Sequence, residues 1–270
     1  MTDKNRNLIV RVATALLLLP GVLWLIWRGG MPFAALIAVA AAASALELNQ
    51  LPGTAISGAA IASLAGAFAI PVLHEAPASG IEASAVLAAV VIVAFSDTLL
   101  FEEENANAPR RVGLAVLGTA YPGILLGSLV RLRQLPRGEW WIVLAITVTW
   151  LNDTFAYFAG RALGRHKLYE RISPSKTWEG AAGGAAGSIV GALVVQQVWL
   201  PEVPIWGAAL IGAGAAVLGP IGDLAESMLK RAFGAKDSGR VLPGHGGLLD
   251  RIDALLFNAP FVLLCARLLT

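Results

Sequence analysis

The run LIVRVATALLLLPGVLWLIW, residues 8–27, holds one charged side chain, Arg11, in a stretch long enough to cross a lipid bilayer. A secretory signal peptide has an apolar region of about 7–15 residues, so this run is too long for one. No small-residue cleavage site clearly follows the run, and we expect a retained first membrane span. The arginine near its end can extend its charged group to the interface.

The rest of the chain is as apolar as this run leads one to expect. Of its 270 residues, 57% are hydrophobic and 14% are charged, whereas soluble domains carry about 25% charged residues. A soluble domain of this length could not bury so much apolar surface, so we expect an integral membrane protein. The formal net charge of +2 is too small to indicate a nucleic-acid partner. The single cysteine, Cys265, allows no internal disulfide and no zinc site.

Hydropathy and turn residues predict an all-α polytopic integral membrane protein with about nine transmembrane helices. We find no internal repeat and no attached soluble domain, and expect one membrane domain over residues 1–270. The spans of its first part, residues 1–138, carry few polar residues, and we assign this part a scaffold or dimer role. Residues 139–270 are expected to form the catalytic half. The predicted spans are 8–28, 32–51, 54–73, 83–101, 112–132, 140–163, 178–200, 204–232 and 247–269.

Loop charge predicts the orientation, because lysine and arginine concentrate in cytoplasmic loops. Basic residues before the first span place the N-terminus in the cytoplasm, and the basic segments 161–176 and 230–240 then fall on the same side. The loop at residues 200–204 has no lysine or arginine and falls outside. One loop disagrees, since the arginines of residues 131–137 would also lie outside.

Four groups of polar residues interrupt the apolar pattern of the second half. They are Asp153 in the sixth predicted span; Ser173, Ser175 and Lys176 in the following loop; Asp223, Glu226, Ser227 and Lys230 in the eighth span; and Asp250 and Asp253 in the last. Steps of three and four residues place the members of the last two groups on one helix face each. Asp153 lies roughly 15 Å from the cytoplasmic end of its span, at 1.5 Å per residue.

Such acids need compensation, since an acid near the bilayer centre costs about 2.5–3.5 kcal/mol. One interpretation is structural ion pairing with nearby Lys230, Arg231, Lys236 or Arg251. The other is a divalent cation, because Mg²⁺ takes one or two carboxylates and completes its shell with water and substrate phosphates. Basic loops and the backbone N–H groups of the PGHGG turn suit a polyphosphate. Together these features indicate phosphoryl or nucleotidyl transfer on a lipid.

His245 could be a base, a phosphate ligand or a turn residue; a phosphate nucleophile with a second pKa near 6 needs no base at pH 7. We therefore favour phosphate contact or loop positioning for His245. Outside the catalytic half, Glu47 and Asp97 are interpreted as reaching water from span ends, and Glu102–Glu104 as a solvated acidic loop.

The stretch SMLKRAFGAKDSGRVLPGHGGLLDRID, residues 227–253, resembles the signature of the phosphatidate cytidylyltransferase family, also called CDP-diacylglycerol synthases. Upstream, NDTFAYFAGRALGRHKL and SPSKTWEGAAGG resemble two further family motifs in the same order, so that the resemblance covers about residues 145–260. One departure is Asn152, where the family more often has a small residue. The matching residues are Ser227, Lys230, Arg231, Lys236, Asp237, Pro243, His245, Gly246, Gly247, Asp250, Arg251 and Asp253.

This resemblance implies a homodimeric enzyme of the bacterial inner (cytoplasmic) membrane, with its active site facing the cytoplasm. It implies that CTP and phosphatidate are joined into CDP-diacylglycerol with release of pyrophosphate, at a Mg²⁺-dependent site where a monovalent cation such as K⁺ can accompany the Mg²⁺. The expected metal ligands are Asp223, Asp250 and Asp253. The expected catalytic residues are Asp223, Asp250, Lys176, Lys230, Lys236 and Arg251. The expected substrate-binding residues are Ser173, Lys176, Ser227, Arg231, His245 and Asp153.

The expected mechanism is in-line attack by the phosphatidate phosphate on the α-phosphorus of CTP. Because both reactants are anions, catalysis should consist of charge neutralisation and alignment. The lysines would screen phosphates, Asp253 would support the metal or orient Arg251, and Asp153 would contact a second cation or hold a lysine.

Rival interpretations remain open. A CTP-using lipid kinase, or a CDP-lipid synthase acting on another lipid, would need similar residues. A CDP-alcohol transferase is disfavoured because the chain has no acid set of the DG…AR…G…D…D type. An ion-coupled transporter would also bury acids, but it should show symmetry and broken helices in both halves.

Overall fold

Helices account for most of the computed structural model, which describes residues 19–53, 55–76, 80–102, 105–239, 241 and 246–270. Eight helical segments in this part are long and apolar enough to cross a membrane. They confirm the predicted all-α polytopic architecture and match the second to ninth predicted spans. The first predicted span lies mostly outside the described residues, apart from helical residues 19–28.

The helices are α1 (residues 19–28), α2 (Gly30–Gln50), α3 (Gly58–Glu75), α4 (Ala83–Phe101), α5 (Ala108–Thr119), α6 (Leu125–Arg133), α7 (Gly138–Leu163), α8 (Trp178–Trp199), α9 (Ile205–Ala232) and α10 (Leu249–Leu269). A short 3₁₀ turn at Asn105–Asn107 precedes α5. A π-helical turn, Ala120–Ile124, joins α5 to α6 and contains Pro122. Because proline removes an amide donor and crowds the preceding turn, a π-turn is a suitable way to continue the span.

A short antiparallel hairpin, β1 (Lys167–Tyr169) and β2 (Ser173–Thr177), lies between α7 and α8. The sequence predicted only a polar loop here, because strands this short and polar leave no clear alternation. Lys167 Nζ donates to the backbone oxygen of Pro174 across the hairpin at 2.6 Å. The hairpin leads directly into α8, whose cap Thr177 accepts a hydrogen bond from Gly180 N at 3.1 Å.

The described residues form two compact units. The first comprises the described residues up to Val130 together with those of Asp237–Arg251. In it, α2 packs on α3 and α5, and α3 packs on α4. Small and β-branched side chains fill the contacts, as Ala59, Val90, Ala94, Val112 and Ala115 do in one buried cluster. Such side chains let membrane helices approach closely.

The second unit comprises Arg131–Lys236 and Ile252–Thr270. Within it, α8 packs on α7 and on α9, and a row of glycines on α8 contacts α7. A Cβ added at Gly187 would lie 2.7 Å from Cγ of Phe155, and one at Gly191 would lie 2.6 Å from Cδ1 of Leu151. The absence of side chains along this row lets α7 and α8 approach closely, and the candidate site lies at one end of the pair.

Two of the three arginines that disagreed with the predicted orientation, Arg133 and Arg137, have partners in the second unit. Arg133 pairs with Glu139 at 3.3 Å. Arg137 pairs with Glu202 at 3.4 Å and donates to the Trp199 carbonyl at 2.7 Å. The connection before α7 therefore contacts the one after α8, as an alternating path through a membrane requires. The guanidinium groups of Arg133 and Arg137 thus form ion pairs within the protein, whichever side of the membrane their loop lies on.

Candidate active site

A cavity of about 530 Å³ opens in the second unit, between the end of α7, strand β2, the start of α8 and the middle of α9. Many of the residues in its walls carry polar or charged side chains. The polar and ionisable residues that line it are Asn152, Asp153, Tyr157, Arg161, Ser175, Lys176, Thr177 and Asp223. Members of three of the four predicted polar groups therefore meet at one place: Asp153, Ser175 with Lys176, and Asp223.

The central contact of this cavity is an ion pair between β2 and α9. Lys176 Nζ lies 2.6 Å from Asp223 Oδ2, with 22% and 35% of the two side chains exposed. On the same helix, Ser227 Oγ donates to Asp223 Oδ1 at 3.3 Å, which confirms that these two residues share a helix face. Partial exposure means that both charged groups can still reach a ligand in the cavity.

Two further aspartates belong to the same charge cluster. Asp153 lines the cavity and interacts electrostatically with Lys176 and Asp223. Asp253 interacts with Asp223, Asp153 and Lys176. Close packing of α9 on α10 brings Asp253 here, since a Cβ at Gly222 would lie 2.6 Å from the Asp253 backbone oxygen. Three carboxylates thus share one lysine, and the excess of negative charge suits a cation.

The donor set fits Mg²⁺. No preformed group of three or more His, Cys, Asp or Glu ligands occurs among the described residues. Mg²⁺ does not need one, because it usually takes one or two carboxylates and leaves the other positions to water and phosphate oxygens. Asp223 and Asp253 offer hard oxygen donors of this kind, and Lys176 forms an ion pair with Asp223.

Asp250 belongs to the first unit and is held by Ser238. Asp250 Oδ2 accepts from Ser238 N at 3.0 Å and from Ser238 Oγ at 3.1 Å. The contact is tight, since a Cβ at Gly247 would lie 2.8 Å from the same carboxylate oxygen. Gly247 of the signature segment therefore has a structural role, because a larger residue there would not fit beside Asp250. His245 lies outside the described residues.

The interpretation of Glu47 as reaching water was wrong. Its relative exposure is 0%, and it accepts hydrogen bonds from Ser238 Oγ, Leu248 N and Leu249 N, each at 2.9 Å. Nothing local in α2 indicated this, because all three donors lie far along the chain. Glu47 is a residue that the sequence analysis missed.

Two other discounted acids, Asp97 and Glu102, also have partners within the protein, whereas Glu103 and Glu104 lie outside the described residues. Asp97, whose side chain is 10% exposed, pairs with Arg111 at 2.8 Å and accepts from Ala59 N at 3.0 Å. Glu102 pairs with the same arginine at 3.0 Å. These contacts link α3, α4 and α5 inside the first unit. They are structural pairs, which corrects the interpretation of Asp97 and Glu102 as residues that only contact water.

Several predicted site residues are placed away from the walls of this cavity. Lys230 is buried and forms an ion pair with Glu226. Arg231 is exposed and donates to the Ala235 carbonyl at 2.8 Å. Ser173 is paired with Tyr169 in the hairpin register, and Ser175 contributes to the cavity instead. Lys236 and Arg251 are exposed.

Asn152, which departs from the family pattern, lines the cavity although it is only 1% exposed. Neither its amide oxygen nor its amide nitrogen has a hydrogen-bond partner in the part of the chain that the structure describes. The Asn152 amide lies against a glycine of α9, since a Cβ at Gly219 would be 3.2 Å from Asn152 Nδ2. The polar character of the cavity thus extends one residue deeper than Asp153.

Comparison with known proteins identifies the family of this chain. The model of the cytidylyltransferase family matches residues 9–269. A phosphatidate cytidylyltransferase of Brucella abortus is 37% identical over 265 residues, covering 96% of this chain and 93% of that protein. The proteins of that name from Bacillus subtilis and Staphylococcus epidermidis are 34% and 35% identical, covering 97% and 94% of this chain and 97% and 96% of their own lengths. The chain therefore belongs to the cytidylyltransferase family.

Proposed function

We propose that this protein transfers the cytidylyl group of CTP to phosphatidate, giving CDP-diacylglycerol and pyrophosphate. Family membership over residues 9–269 supports a cytidylyl transfer. Relatives that carry the name phosphatidate cytidylyltransferase align with almost the whole chain, which supports the lipid acceptor. The reaction belongs to phospholipid biosynthesis.

The observation that carries the proposal is the Lys176–Asp223 pair in the wall of a polar cavity among membrane-spanning helices. A lipid phosphate reaches such a cavity from the bilayer, and a soluble nucleotide reaches it from water. A cation site and a lysine side by side are what a reaction between two phosphates needs, because the mutual repulsion of the reactants is the main barrier.

In the proposed reaction, an oxygen of the phosphatidate phosphate attacks the α-phosphorus of CTP. A new phosphorus–oxygen bond forms, the bond from the α-phosphorus to the bridging oxygen breaks, and pyrophosphate leaves with that electron pair. Lys176 binds a phosphate oxygen and reduces the repulsion between the two anions. Ser227 donates a hydrogen bond to Asp223 at 3.3 Å and in this reaction helps to orient its carboxylate.

We also propose that the enzyme depends on Mg²⁺, held by Asp223 and Asp253, with Asp250 as the further ligand that the family resemblance implies. When bound, Mg²⁺ would neutralise phosphate charge and align the reacting groups. K⁺ remains the expected second cation, and Asp153 is its proposed ligand. The proposed location is the bacterial inner membrane with the cavity open to the cytoplasm, and the proposed assembly is a homodimer.

The test uses purified protein in detergent micelles with phosphatidate, Mg²⁺ and CTP labelled in its cytidine. Label should enter the organic phase only when phosphatidate and Mg²⁺ are both present, and EDTA should abolish the transfer. Asp223→Asn should lower the turnover by about 10²-fold or more, the scale of removing one electrostatic stabiliser from an active site.

A folded wild-type protein that transfers no label to phosphatidate would contradict the proposal. Parallel reactions with other phosphorylated lipids distinguish a different acceptor from the absence of cytidylyl transfer. Transfer that persists in EDTA would contradict the Mg²⁺ dependence alone. The mass of the protein in detergent, measured by light scattering, tests the homodimer separately.

A further inference from the structure

A buried carboxylate in the first unit holds the segment that contains Asp250. Glu47 lies in the last turn of α2, in the part of the chain to which the sequence assigned no chemistry. Its relative exposure is 0%, and both of its oxygens accept hydrogen bonds. Oε1 accepts from Leu248 N at 2.9 Å, and Oε2 accepts from Leu249 N and Ser238 Oγ, also at 2.9 Å.

Two of these donors belong to the start of α10, which begins at Leu249. The first amides of a helix have no acceptor within the helix, and a side chain such as serine or aspartate usually provides one. Leu248 cannot do so, and Glu47 supplies the acceptor from another helix. The partial positive charge of a helix N-terminus also stabilises the buried carboxylate. The contact therefore fixes where α10 starts.

The third donor connects Glu47 to Asp250. The Ser238 hydroxyl lies 2.9 Å from Glu47 Oε2 and 3.1 Å from Asp250 Oδ2. One hydroxyl proton serves one carboxylate at a time, and the Ser238 amide donates to Asp250 in either case at 3.0 Å. Ser238 therefore bridges the two carboxylates.

The packing around this bridge leaves little freedom. A Cβ at Gly239 would lie 2.6 Å from Cγ of Glu47, and a Cβ at Gly247 would lie 2.9 Å from the Gly239 amide nitrogen. Gly239 and Gly247 thus allow their two chain segments to pack closely against each other and against Glu47. A small displacement of the Glu47 carboxylate would move Ser238 and the first turn of α10 together.

From this arrangement we propose that Glu47 is a positioning residue for the cytidylyl transfer, which orients the Asp250 carboxylate through Ser238 and the start of α10. The inference rests on the proposed function. Glu47 touches no reacting group in this role, and its effect passes entirely through the residues that it holds. The first part of the chain thereby contributes to the chemistry as well as to the scaffold.

The variant Glu47→Gln tests this role because it keeps the shape of the side chain and removes one acceptor. A carboxamide cannot accept from both Leu248 N and Leu249 N, so one amide would face an NH₂ group. Loss of a partner that orients a metal ligand typically costs about 10–100-fold in metal affinity or activity. We expect kcat to fall by about tenfold or more and the half-saturating Mg²⁺ concentration to rise by a similar factor.

Asp97→Asn is the matched control. Asp97 is also a mostly buried acid that accepts from the start of a helix in the same unit, through Ala59 N at 3.0 Å, but it holds no predicted site residue. We expect Asp97→Asn to lower the melting temperature as much as Glu47→Gln does, with kcat and the half-saturating Mg²⁺ concentration within about twofold of wild type. Equal behaviour of the two variants in all three measurements would overturn the positioning role and leave Glu47 a structural cap.

Two further variants test the inference if the Glu47→Gln protein does not fold. Ser238→Ala removes the bridge and keeps the contacts of Glu47 with α10, so it should raise the half-saturating Mg²⁺ concentration in a folded protein. Glu47→Asp keeps the charge and should recover part of the activity. Wild-type Mg²⁺ dependence in Ser238→Ala would contradict the inference alone, whereas a wild-type protein without cytidylyl transfer contradicts the proposed function and this inference with it.

Discussion

Lys176 and Asp223 are partly exposed to the cavity although they lie 2.6 Å apart. A pair in such a position has two uses. Without substrate, the ammonium group compensates an acid that would be costly among membrane helices. In the proposed reaction, the same ammonium group binds a phosphate oxygen in the cavity. The structural and the chemical interpretation of these residues are therefore compatible.

Lys176→Met separates these uses. It keeps the length of the side chain and removes its charge, so we expect turnover to fall by about 10²-fold or more, since the phosphate repulsion is no longer screened. Lys167→Met is the matched control, because Lys167 lies in the same hairpin and donates to the Pro174 carbonyl at 2.6 Å. We expect less than about a tenfold loss there. Equal losses in the labelled-CTP assay would mean that the integrity of the hairpin matters and the charge of Lys176 does not.

At the level of the elements, the contact of α7 with α8 depends on glycines. Gly187→Ala places a methyl group where a Cβ would be 2.7 Å from the Phe155 ring and 2.9 Å from the Leu151 carbonyl oxygen. We expect a loss of about 1–3 kcal/mol in stability, the usual scale of overpacking, and reduced turnover because the cavity lies at one end of this contact. The melting temperature in detergent and the turnover measure the two effects.

Gly113→Ala provides the comparison, because Gly113 also lies in a helix and has nothing within 4 Å of an added Cβ. There the change should be neutral or stabilising by up to about 1 kcal/mol, as expected for glycine replaced by alanine in an open helix. If both variants melt at the wild-type temperature, close packing through Gly187 is not a determinant of the α7–α8 contact.

The elements also show what the sequence can and cannot predict. Spans were predictable because the apolar residues of each helix are local, and Asp153, Asp223 and Asp253 were recognisable because acids are costly inside such spans. The hairpin was missed because its strands are short and polar. Glu47 was missed because its hydrogen-bond partners lie 191 to 202 residues away, so that the local sequence shows only an acid near the end of a span.

At the scale of the whole molecule, orientation in the membrane decides whether CTP can reach the cavity. The positive-inside rule puts the hairpin between α7 and α8 in the cytoplasm and the connection between α8 and α9 outside. Arg133 and Arg137, two of the three arginines that disagreed with this orientation, form ion pairs with Glu139 and Glu202.

Single cysteines at two exposed positions test this orientation: Arg171→Cys in the hairpin and Pro201→Cys after α8, each with Cys265 replaced by alanine. In right-side-out vesicles, a membrane-impermeant maleimide should label position 201 directly and position 171 only after permeabilisation. The reverse pattern would place the cavity on the outer face, where cytoplasmic CTP does not reach it, and would contradict both the proposed location and the proposed donor. Retained cytidylyl transfer in each variant ensures that the labelling reports the active fold.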